Sequence, residues 1–258
     1  MSRTTRTLAI ANQKGGVGKT TTALNLAAGL AKMGRRVLVV DIDPQGNCTT
    51  GLGVELDEGQ PTLAEVLTGE ATVAEARVRP NSEALDLIPA NGDLTAAEVE
   101  LMERDDRAGV LKVALAAQRG RYDDIIIDCP PALNVLTLNA LTAADRVLIP
   151  MQCEYYALEG LTALMNTIEQ IQSSVNSDLE IEGLVRTMYD IRNNLSGAVS
   201  RQLSEHFGDR LYNTIVPRNV RVAESPSYGE SVLNYDPDSR GALAYRGLAG
   251  EYVRRMRG

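Results

Sequence analysis

The sequence predicts an α/β fold in which a single doubly wound, mostly parallel sheet carries helices on both faces. Short runs that are apolar throughout, such as VLVVD at 37–41, alternate with longer segments whose apolar residues recur at helical spacing. Strands that are apolar on both sides are typical of a parallel sheet covered by helices. The 258 residues, 44% of them hydrophobic, suffice for one large core, and no repeat or linker divides them. We therefore expect one domain over residues 1–258.

The apolar runs and the helical patterns give the expected elements in chain order. Strands are expected at 8–12, 37–41, 85–90, 124–131, 146–151, 181–189 and 212–217. Helices are expected at 20–33, 107–119, 134–143, 157–175, 195–207 and 239–256. The first helix has the clearest pattern, and Gly34 follows its last turn as a glycine cap. Residues 42–84 have the weakest pattern, which predicts turns and short helical pieces.

Composition excludes several classes of protein. Charged residues make up 23%, which is near the globular average and excludes wholesale disorder. The longest apolar stretches are far below the ~18 residues that a membrane span needs. The N-terminus lacks the apolar segment of a secretion signal, so we expect a cytoplasmic protein. The three cysteines, Cys48, Cys129 and Cys153, fit neither a disulfide framework nor a CxxC metal site.

The net charge of −8 is unevenly distributed along the chain. Residues 182–258 contain 11 arginines, no lysine and 9 acidic residues, whereas residues 1–181 contain 15 basic and 25 acidic residues. A polyanion would therefore meet less repulsion at the C-terminal third. From charge alone, an ordinary solvated surface is the simpler interpretation.

The strongest motif is QKGGVGKT at 13–20, which follows a predicted strand and opens a predicted helix. That setting is typical of a phosphate-binding loop. Its glycines let successive backbone N–H groups turn toward phosphate oxygens, and the helix adds its positive N-terminal end. Lys19 can reach the β- and γ-phosphates of ATP, and the Thr20 hydroxyl can bind Mg²⁺. The residues expected to bind nucleotide here are Lys14, Gly15, Gly16, Val17, Gly18, Lys19, Thr20 and Thr21.

This loop differs from the ordinary GxxxxGK[ST] pattern in two ways. Gln13 stands where the pattern has its first glycine, and Lys14 is an additional lysine. In both respects KGGVGKT resembles the deviant Walker A motif of the ParA/MinD group of ATPases. The resemblance implies a P-loop NTPase fold, and it implies that Lys14 reaches across a dimer interface to the partner's nucleotide. A lysine there would offset the charge of two ATP molecules buried face to face.

Aspartates follow two of the predicted strands. Asp41 and Asp43 lie on one side of the chain after the second strand, and Asp128 ends the strand IIIID. Ligands of open α/β sheets bind at this end of the strands. Asp43 is expected to orient the water that attacks the γ-phosphate, because a carboxyl with a pKa near ~4 is a poor proton acceptor. Asp128 resembles a Walker B aspartate, which holds Mg²⁺. The prolines at 130–131 then indicate a stiff switch segment.

Further motifs resemble chromosomal, Soj-like ParA proteins over essentially the whole chain. They are DIDPQGN at 41–47, IIIDCPP at 125–131, PMQCEYYALEGL at 150–161, TMYDIRNNL at 187–195 and VPRNVRVAESPSYG at 216–229. The resemblance implies an ATP-dependent partitioning protein on the nucleoid, whose ATP-bound homodimer binds double-stranded DNA without sequence preference. A ParB/Spo0J-type centromere-binding partner would stimulate hydrolysis and release the dimer. Because the chain begins at the first strand, we expect no N-terminal helix-turn-helix domain.

The resemblance also assigns residues around the base and the sugar. Pro217 and Asn219 match a stretch that flanks the adenine in relatives, although a strand-ending turn explains them equally well. Glu154 matches a carboxylate near the ribose, and an ordinary loop carboxylate is the alternative. Tyr155 and Tyr156 could stack on a base, but packing is the simpler interpretation.

Two arginines match DNA-binding arginines of Soj-like relatives. These are Arg192 and Arg221, which both lie in the arginine-rich C-terminal third. The alternative for each is a surface ion pair, for instance with Asp190 or Glu224.

Four rival functions are compatible with parts of the sequence. A MinD-like or other cargo-positioning ATPase would share the loop but would need an amphipathic C-terminal helix with large apolar residues, which LAGEYVRRMRG does not provide. An iron–sulfur reductase would need a pair of bridging cysteines. A small-molecule ATP-dependent synthetase is compatible with the loop alone. A DNA-binding module without enzymatic activity is disfavoured by the intact loop.

Overall fold

The computed structural model describes residues 5–154 and 157–256, and the strands of this part form one parallel sheet. The strands are β1 (Arg6–Ile10), β2 (Val37–Asp41), β3 (Asp86–Ile88), β4 (Asp124–Asp128), β5 (Arg146–Gln152), β6 (Glu180–Tyr189) and β7 (Leu211–Pro217). Their order across the sheet is β3-β2-β4-β1-β5-β6-β7, and each neighbouring pair is parallel. The predicted fold class and all seven predicted strands are confirmed.

Twelve α-helices connect these strands in the described part of the chain. They are α1 (Lys19–Lys32), α2 (Asn47–Gly51), α3 (Leu63–Thr68), α4 (Val73–Ala76), α5 (Leu94–Met102), α6 (Val110–Ala116), α7 (Val135–Ala143), α8 (Ala157–Ser174), α9 (Asn194–Phe207), α10 (Val220–Glu224), α11 (Val232–Tyr235) and α12 (Arg240–Arg255). The six predicted helices are all present, and Gly34 takes the left-handed conformation just after α1. The region 42–84 forms three short helices, as its weak pattern indicated. Helix α5 was not predicted.

The strands separate two apolar cores, one on each face of the sheet. Along β2, Leu38 and Val40 pack into one core while Val37 and Val39 pack into the other. This alternation follows from the two-residue period of a strand. Because both faces are covered, the strands must be apolar throughout, which is the pattern that predicted them.

The connections reverse direction at the centre of the sheet. After β1 the chain crosses β4 to form β2, whereas after β4 it crosses β1 to form β5. The loops that follow β1 and β4 therefore leave in opposite directions from adjacent strands. A crevice forms at such a point, beyond the carboxyl ends of the strands, and it is the usual ligand site of open α/β sheets.

The opposite edge, at the amino ends of the strands, is lined by ion pairs. Asp124 at the start of β4 is fully buried and pairs with Arg35. Burial raises the pKa of Asp124, and the Arg35 guanidinium opposes that rise. The other pairs at this edge are Arg36–Asp123 at 2.9 Å, Arg119–Asp145 at 2.8 Å, Arg146–Glu180 at 2.6 Å and Arg146–Glu182 at 3.1 Å.

Two glycines bring the end of α2 against the turn at 225–229. Gly53 and Gly229 have φ of +69° and +67°, and a Cβ built on Gly229 would lie 2.5 Å from the Cα of Gly53. No side chain fits between these two backbones. The contact matters because both segments contribute to the crevice described below.

We expect Gly229→Ala to lower the free energy of unfolding by more than about 2 kcal/mol. The left-handed conformation costs an L-residue about 1–2 kcal/mol, and overpacking adds about 1–3 kcal/mol. Urea denaturation measures the loss. Gly69→Ala is the matched control, because its φ is +89° but no atom of the described residues lies within 4 Å of its Cβ position. Equal losses in the two variants would contradict the proposed clash.

Candidate functional site

A cleft of about 850 Å³ opens at the carboxyl ends of β1, β2 and β4. Four segments build most of its wall, namely the phosphate loop with the start of α1, residues 43–51, the prolines after β4, and the turn at 226–227; Thr95 and Met188 also contribute. The residues that line it include Gly15, Gly16, Gly18, Lys19, Thr20, Thr21, Asp43, Pro130, Pro131, Pro226 and Ser227. The structure therefore brings most of the predicted phosphate and metal ligands together.

The phosphate loop is held by the ends of two neighbouring strands. Gly16 and Gly18 have φ of +73° and +86°, which favours glycine at both positions. The Gln152 side chain at the end of β5 donates to the Gly16 carbonyl at 3.1 Å. The Thr187 hydroxyl of β6 donates to the Val17 carbonyl at 2.7 Å. The sequence analysis missed both anchors, because nothing local in the sequence links β5 or β6 to the loop.

Lys19 is the buried cation of the cleft. Its side chain folds back along the loop, and its Nζ donates to the Lys14 carbonyl at 3.3 Å. Burial lowers the pKa of Lys19, while the carboxylates of Asp128 and Asp43 raise it. An anion with several oxygens, such as a phosphate, would favour the charged form of Lys19.

The aspartates at the ends of β2 and β4 lie side by side. Asp41 and Asp128 are paired in the register of the two strands, and both are fully buried. Burial raises the pKa of Asp128 well above its ordinary range, and the nearby Asp41 carboxylate raises it further. Among the described residues, no group forms a hydrogen bond of good geometry with either Asp128 oxygen, although the Thr20 hydroxyl lies close enough to favour the charged carboxylate.

These residues fit a bound Mg²⁺ ion. Two buried carboxylate oxygens without a hydrogen bond, beside a threonine hydroxyl, are a set of hard oxygen donors. Within residues 5–154 and 157–256, no three His, Cys, Asp or Glu side chains cluster as a complete metal cage. Mg²⁺ rarely uses such a cage, since it retains waters and binds one or two carboxylates together with substrate phosphates.

Asp43 and Asp41 occupy different environments although they are two residues apart. Asp43 lines the cleft, and its Oδ1 accepts a bond of 3.0 Å from the Gln45 amide. Asp41 lies behind the wall, where its Oδ2 accepts bonds from the Thr49 amide at 2.9 Å and the Thr49 hydroxyl at 2.8 Å. Burial raises the pKa of Asp41 to about 6, against the effect of these bonds. Only Asp43 is placed to meet a ligand.

Lys14 and Glu154 form an ion pair at the rim of the cleft. The Lys14 Nζ lies 2.6 Å from Glu154 Oε2, and the two side chains are 38% and 50% exposed. A pair this exposed is weak and exchanges readily. Lys14 therefore points away from its own cleft in this structure, and Glu154 is its partner there.

Pro217 and Asn219 do not line the cleft. Pro217 ends β7 opposite Tyr189 of β6, and the Asn219 side chain caps α10 by accepting from the Val222 amide at 3.2 Å. The turn that does reach the cleft follows α10 and contains Pro226 and Ser227. The adenine assignment of Pro217 and Asn219 stays a prediction, and so does the ribose assignment of Glu154. Tyr155 and Tyr156 lie outside the described residues.

The two candidate DNA-binding arginines lie in surface ion pairs. Arg192 is 85% exposed, and its guanidinium donates to Oδ1 of Asp190 at 2.9 Å and to Oδ2 at 2.8 Å. Its guanidinium holds the pKa of Asp190 down at about 2. Arg221 lies 3.0 Å from Glu224 and 3.2 Å from Asp236. The ion-pair alternative is therefore what this structure contains, and DNA contact stays a prediction.

The sequence and the fold agree with those of known proteins. Residues 5–181 match a family model described as an AAA domain. The chromosome partitioning protein ParA of Caulobacter vibrioides is 55% identical over 254 residues, which cover 98% of this chain and 95% of that protein. The sporulation initiation inhibitor protein Soj of Bacillus subtilis is 52% identical over 244 residues, covering 95% and 96%. The chain belongs to the ParA/Soj family of chromosome-partitioning ATPases.

A solved structure extends the likeness of this ParA/Soj chain to its three-dimensional fold. It is titled cobyrinic acid a,c-diamide synthase from Mycobacterium smegmatis with bound ADP and magnesium. That protein is 41% identical, and the match has a TM-score of 0.87 over 98% of this chain and 96% of that one. The predicted membership of the ParA/MinD-type ATPases is confirmed.

The C-terminal helix of this ParA/Soj chain is part of the core. Its apolar residues Tyr245, Leu248 and Tyr252 are each 1% exposed or less and pack with α1 and the sheet. Over the residues described, which extend to 256, helix α12 therefore buries its main apolar face in the core and leaves Leu243 exposed. Among these same residues, no helix is both long enough and apolar enough to cross a membrane.

Proposed function

We propose that this chain is an ATP-dependent DNA-segregation ATPase that works as a switch between monomer and dimer. The observation that carries the proposal is the convergence of Lys19 and Asp43 on one cleft, with the buried Asp128 next to Lys19, in a chain 52–55% identical to partitioning proteins. ATP with Mg²⁺ closes two copies into a homodimer that binds double-stranded DNA without reading its sequence. We assign the whole function to one ATPase domain over residues 1–258.

Different residues at the cleft have different roles in hydrolysis. Lys19 and the loop amides bind the β- and γ-phosphates, which are the groups that gain charge as the terminal phosphoryl transfers. Thr20 and Asp128 would hold Mg²⁺, which would offset the negative charge of the phosphate oxygens. Asp43 accepts a hydrogen bond from the attacking water and orients it toward the γ-phosphorus. The products are ADP and phosphate.

Dimerisation completes the site, because Lys14 then acts on the partner's nucleotide. Two observations support this role. A Cβ built on Gly15 or Gly16 would meet no atom of the described residues within 4 Å, which leaves this part of the loop open to a second copy. The exposed pair with Glu154 can open at small cost and free Lys14 for a phosphate.

A partner of the ParB type then resets the switch. We propose that ATPase activity is weak in the chain alone and rises when a ParB/Spo0J-type centromere-binding protein and DNA are both present. Hydrolysis releases the dimer from DNA, so the protein is nucleoid-associated only in its ATP-bound state. The curated relatives named as chromosome partitioning proteins support this assignment.

The name of the Mycobacterium smegmatis structure makes amide synthesis a second candidate. An enzyme that takes ammonia from glutamine uses an activated cysteine, which needs an adjacent base such as histidine. All three cysteines here are buried, and burial raises the pKa of Cys129 and Cys153. The only histidine, His206, is exposed and bonded to the Gln202 carbonyl. This chain lacks a cysteine–histidine pair, which favours partitioning.

We expect Asp43→Ala to bind ATP normally and to stop hydrolysis, so that the ATP-bound dimer accumulates.

Lys14→Ala should bind ATP as a monomer, because the charge of Lys14 acts only across the interface. Gly16→Val should also stay monomeric, since its side chain would crowd the facing copy. Light scattering with ATP, together with phosphate release, measures both properties. Lys32→Ala removes an exposed lysine far from the cleft and is the control for Lys14. Dimerisation of Lys14→Ala like the parent would refute its role in trans.

A further inference from the structure

The position of Asp43 is fixed through its backbone. Its carboxylate accepts one bond, from the Gln45 amide, and both residues belong to the same tight turn. The Gly46 amide donates to the Asp43 carbonyl at 2.9 Å and closes that turn. The Asp43 amide donates to Oδ1 of Asp41 at 3.2 Å. Asp41 is therefore the fixed point from which the turn extends into the cleft.

Thr49 in turn holds Asp41. Its amide and its hydroxyl both donate to Oδ2 of Asp41, at 2.9 and 2.8 Å. The same hydroxyl accepts a bond of 3.0 Å from the Ala90 amide, which follows β3. Thr49 and Asp41 are buried, and neither lines the cleft. The hydroxyl thus ties β2, α2 and the segment after β3 together at one buried point.

At Gly46 the turn also packs against the segment after β3, which is the segment that bonds to Thr49. A Cβ built on Gly46 would lie 2.7 Å from the Ala90 carbonyl oxygen, so the backbone of the turn rests directly on that segment. The turn that carries Asp43 is therefore restrained by Ala90 in two ways, by contact at Gly46 and by the hydrogen bond at Thr49. Two restraints on a short segment remove most of its freedom.

We propose that Thr49 is a positioning residue for ATP hydrolysis, acting through Asp41 on the backbone of Asp43. The proposal rests on the proposed role of Asp43 in orienting the attacking water. A water-orienting group must be held within a fraction of an ångström, and a displacement of about 1 Å can cost roughly 100-fold in rate. Because Thr49 does not touch the cleft, its hydroxyl affects the hydrolytic step and leaves nucleotide binding alone.

The test compares Thr49→Val with Thr49→Ser. Thr49→Val keeps the shape of the side chain and removes the hydroxyl, so kcat should fall roughly 10- to 100-fold while the KM for ATP changes less than about 2-fold. Thr49→Ser restores the hydroxyl and should recover most of kcat. Light scattering should show that Thr49→Val still dimerises with ATP. Unchanged kcat in Thr49→Val, a parallel loss of ATP affinity, or a Thr49→Ser variant as slow as Thr49→Val would each overturn the proposal.

Two controls separate positioning from a general loss of structure. Thr142→Val makes the same change at a buried threonine whose hydroxyl makes no hydrogen bond among the described residues, and it should leave kcat unchanged. Thermal unfolding checks that each variant folds; if Thr49→Val does not, Thr49→Ala removes the same hydroxyl with less bulk and decides the question. Asp43→Ala is assayed alongside. If that variant hydrolyses ATP like the parent, the proposed function of Asp43 fails; if only Thr49→Val remains active, the positioning role alone fails.

Discussion

A Lys19→Ala variant is expected to lose ATP binding. Lys19 is the buried cation of the cleft, and the carboxylates of Asp43 and Asp128 lie close to it. Without the lysine, a triphosphate would enter a pocket whose remaining charged groups repel it. Removing one member of a buried, hydrogen-bonded charge pair costs about 2–5 kcal/mol, which is roughly 30-fold or more in affinity.

Isothermal titration with ATP and Mg²⁺ measures this loss directly. Lys112→Ala is the matched control, since Lys112 is exposed on α6 and lies far from the cleft. Thermal unfolding without nucleotide should show that Lys19→Ala is folded, and added ATP should no longer raise its Tm. An affinity for ATP equal to that of the parent would refute the assignment of Lys19 to the phosphates.

The Arg192→Ala, Arg221→Ala double variant is expected to lose most of its DNA binding while keeping ATP-dependent dimerisation. Both arginines are exposed, and DNA phosphates would compete with the surface carboxylates that now hold them. A dimer would present four such arginines, so we expect ATP to raise the DNA affinity by doubling their number, without any reading of sequence. If all four arginines of the parent dimer neutralise phosphates, the slope of log K for DNA binding against log salt should be smaller in magnitude by about 3.6 in the double variant than in the parent.

Mobility shifts at two salt concentrations, with ATP and with ADP, measure the DNA affinity together with its dependence on salt and on nucleotide. Arg104→Ala is the matched control, because Arg104 also forms an exposed ion pair, with Asp106, but lies in the acidic part of the chain. The loss should be the same for DNA of any sequence. Undiminished binding in the double variant, or equal binding with ATP and ADP, would exclude these arginines as the nucleotide-dependent DNA contact.

The sheet and the phosphate loop could be predicted from the sequence because their signals are local. The central strands are buried on both faces, so their own residues show them, as VLVVD at 37–41 does. The loop needs glycines with left-handed φ next to a lysine and a threonine, and all of these lie within one short segment. Helix α5 gave no such signal, since only Leu94, Ala97 and Leu101 of its nine residues are buried.

The rest of the site depends on contacts between segments far apart in the sequence. Thr49 looks like an ordinary helix residue until Ala90 and Asp41 are brought against its hydroxyl. Gln152 and Thr187 anchor the phosphate loop from strands that begin more than a hundred residues later. Their side chains have many possible partners in the sequence, and only the strand order selects the actual ones.

Because every strand runs in the same direction, the two ends of the sheet have separate tasks. The cleft, the loop that carries Arg192 and the helix α10 that carries Arg221 lie beyond the carboxyl ends, whereas the ion pairs of Arg35, Arg119 and Arg146 lie at the amino ends. A change at the amino ends alters how firmly the strands are held but leaves the cleft and the two candidate DNA-binding arginines unchanged. That end is therefore the natural place to attach a fluorophore or a surface tether, with the moving and binding parts of the molecule left unobstructed.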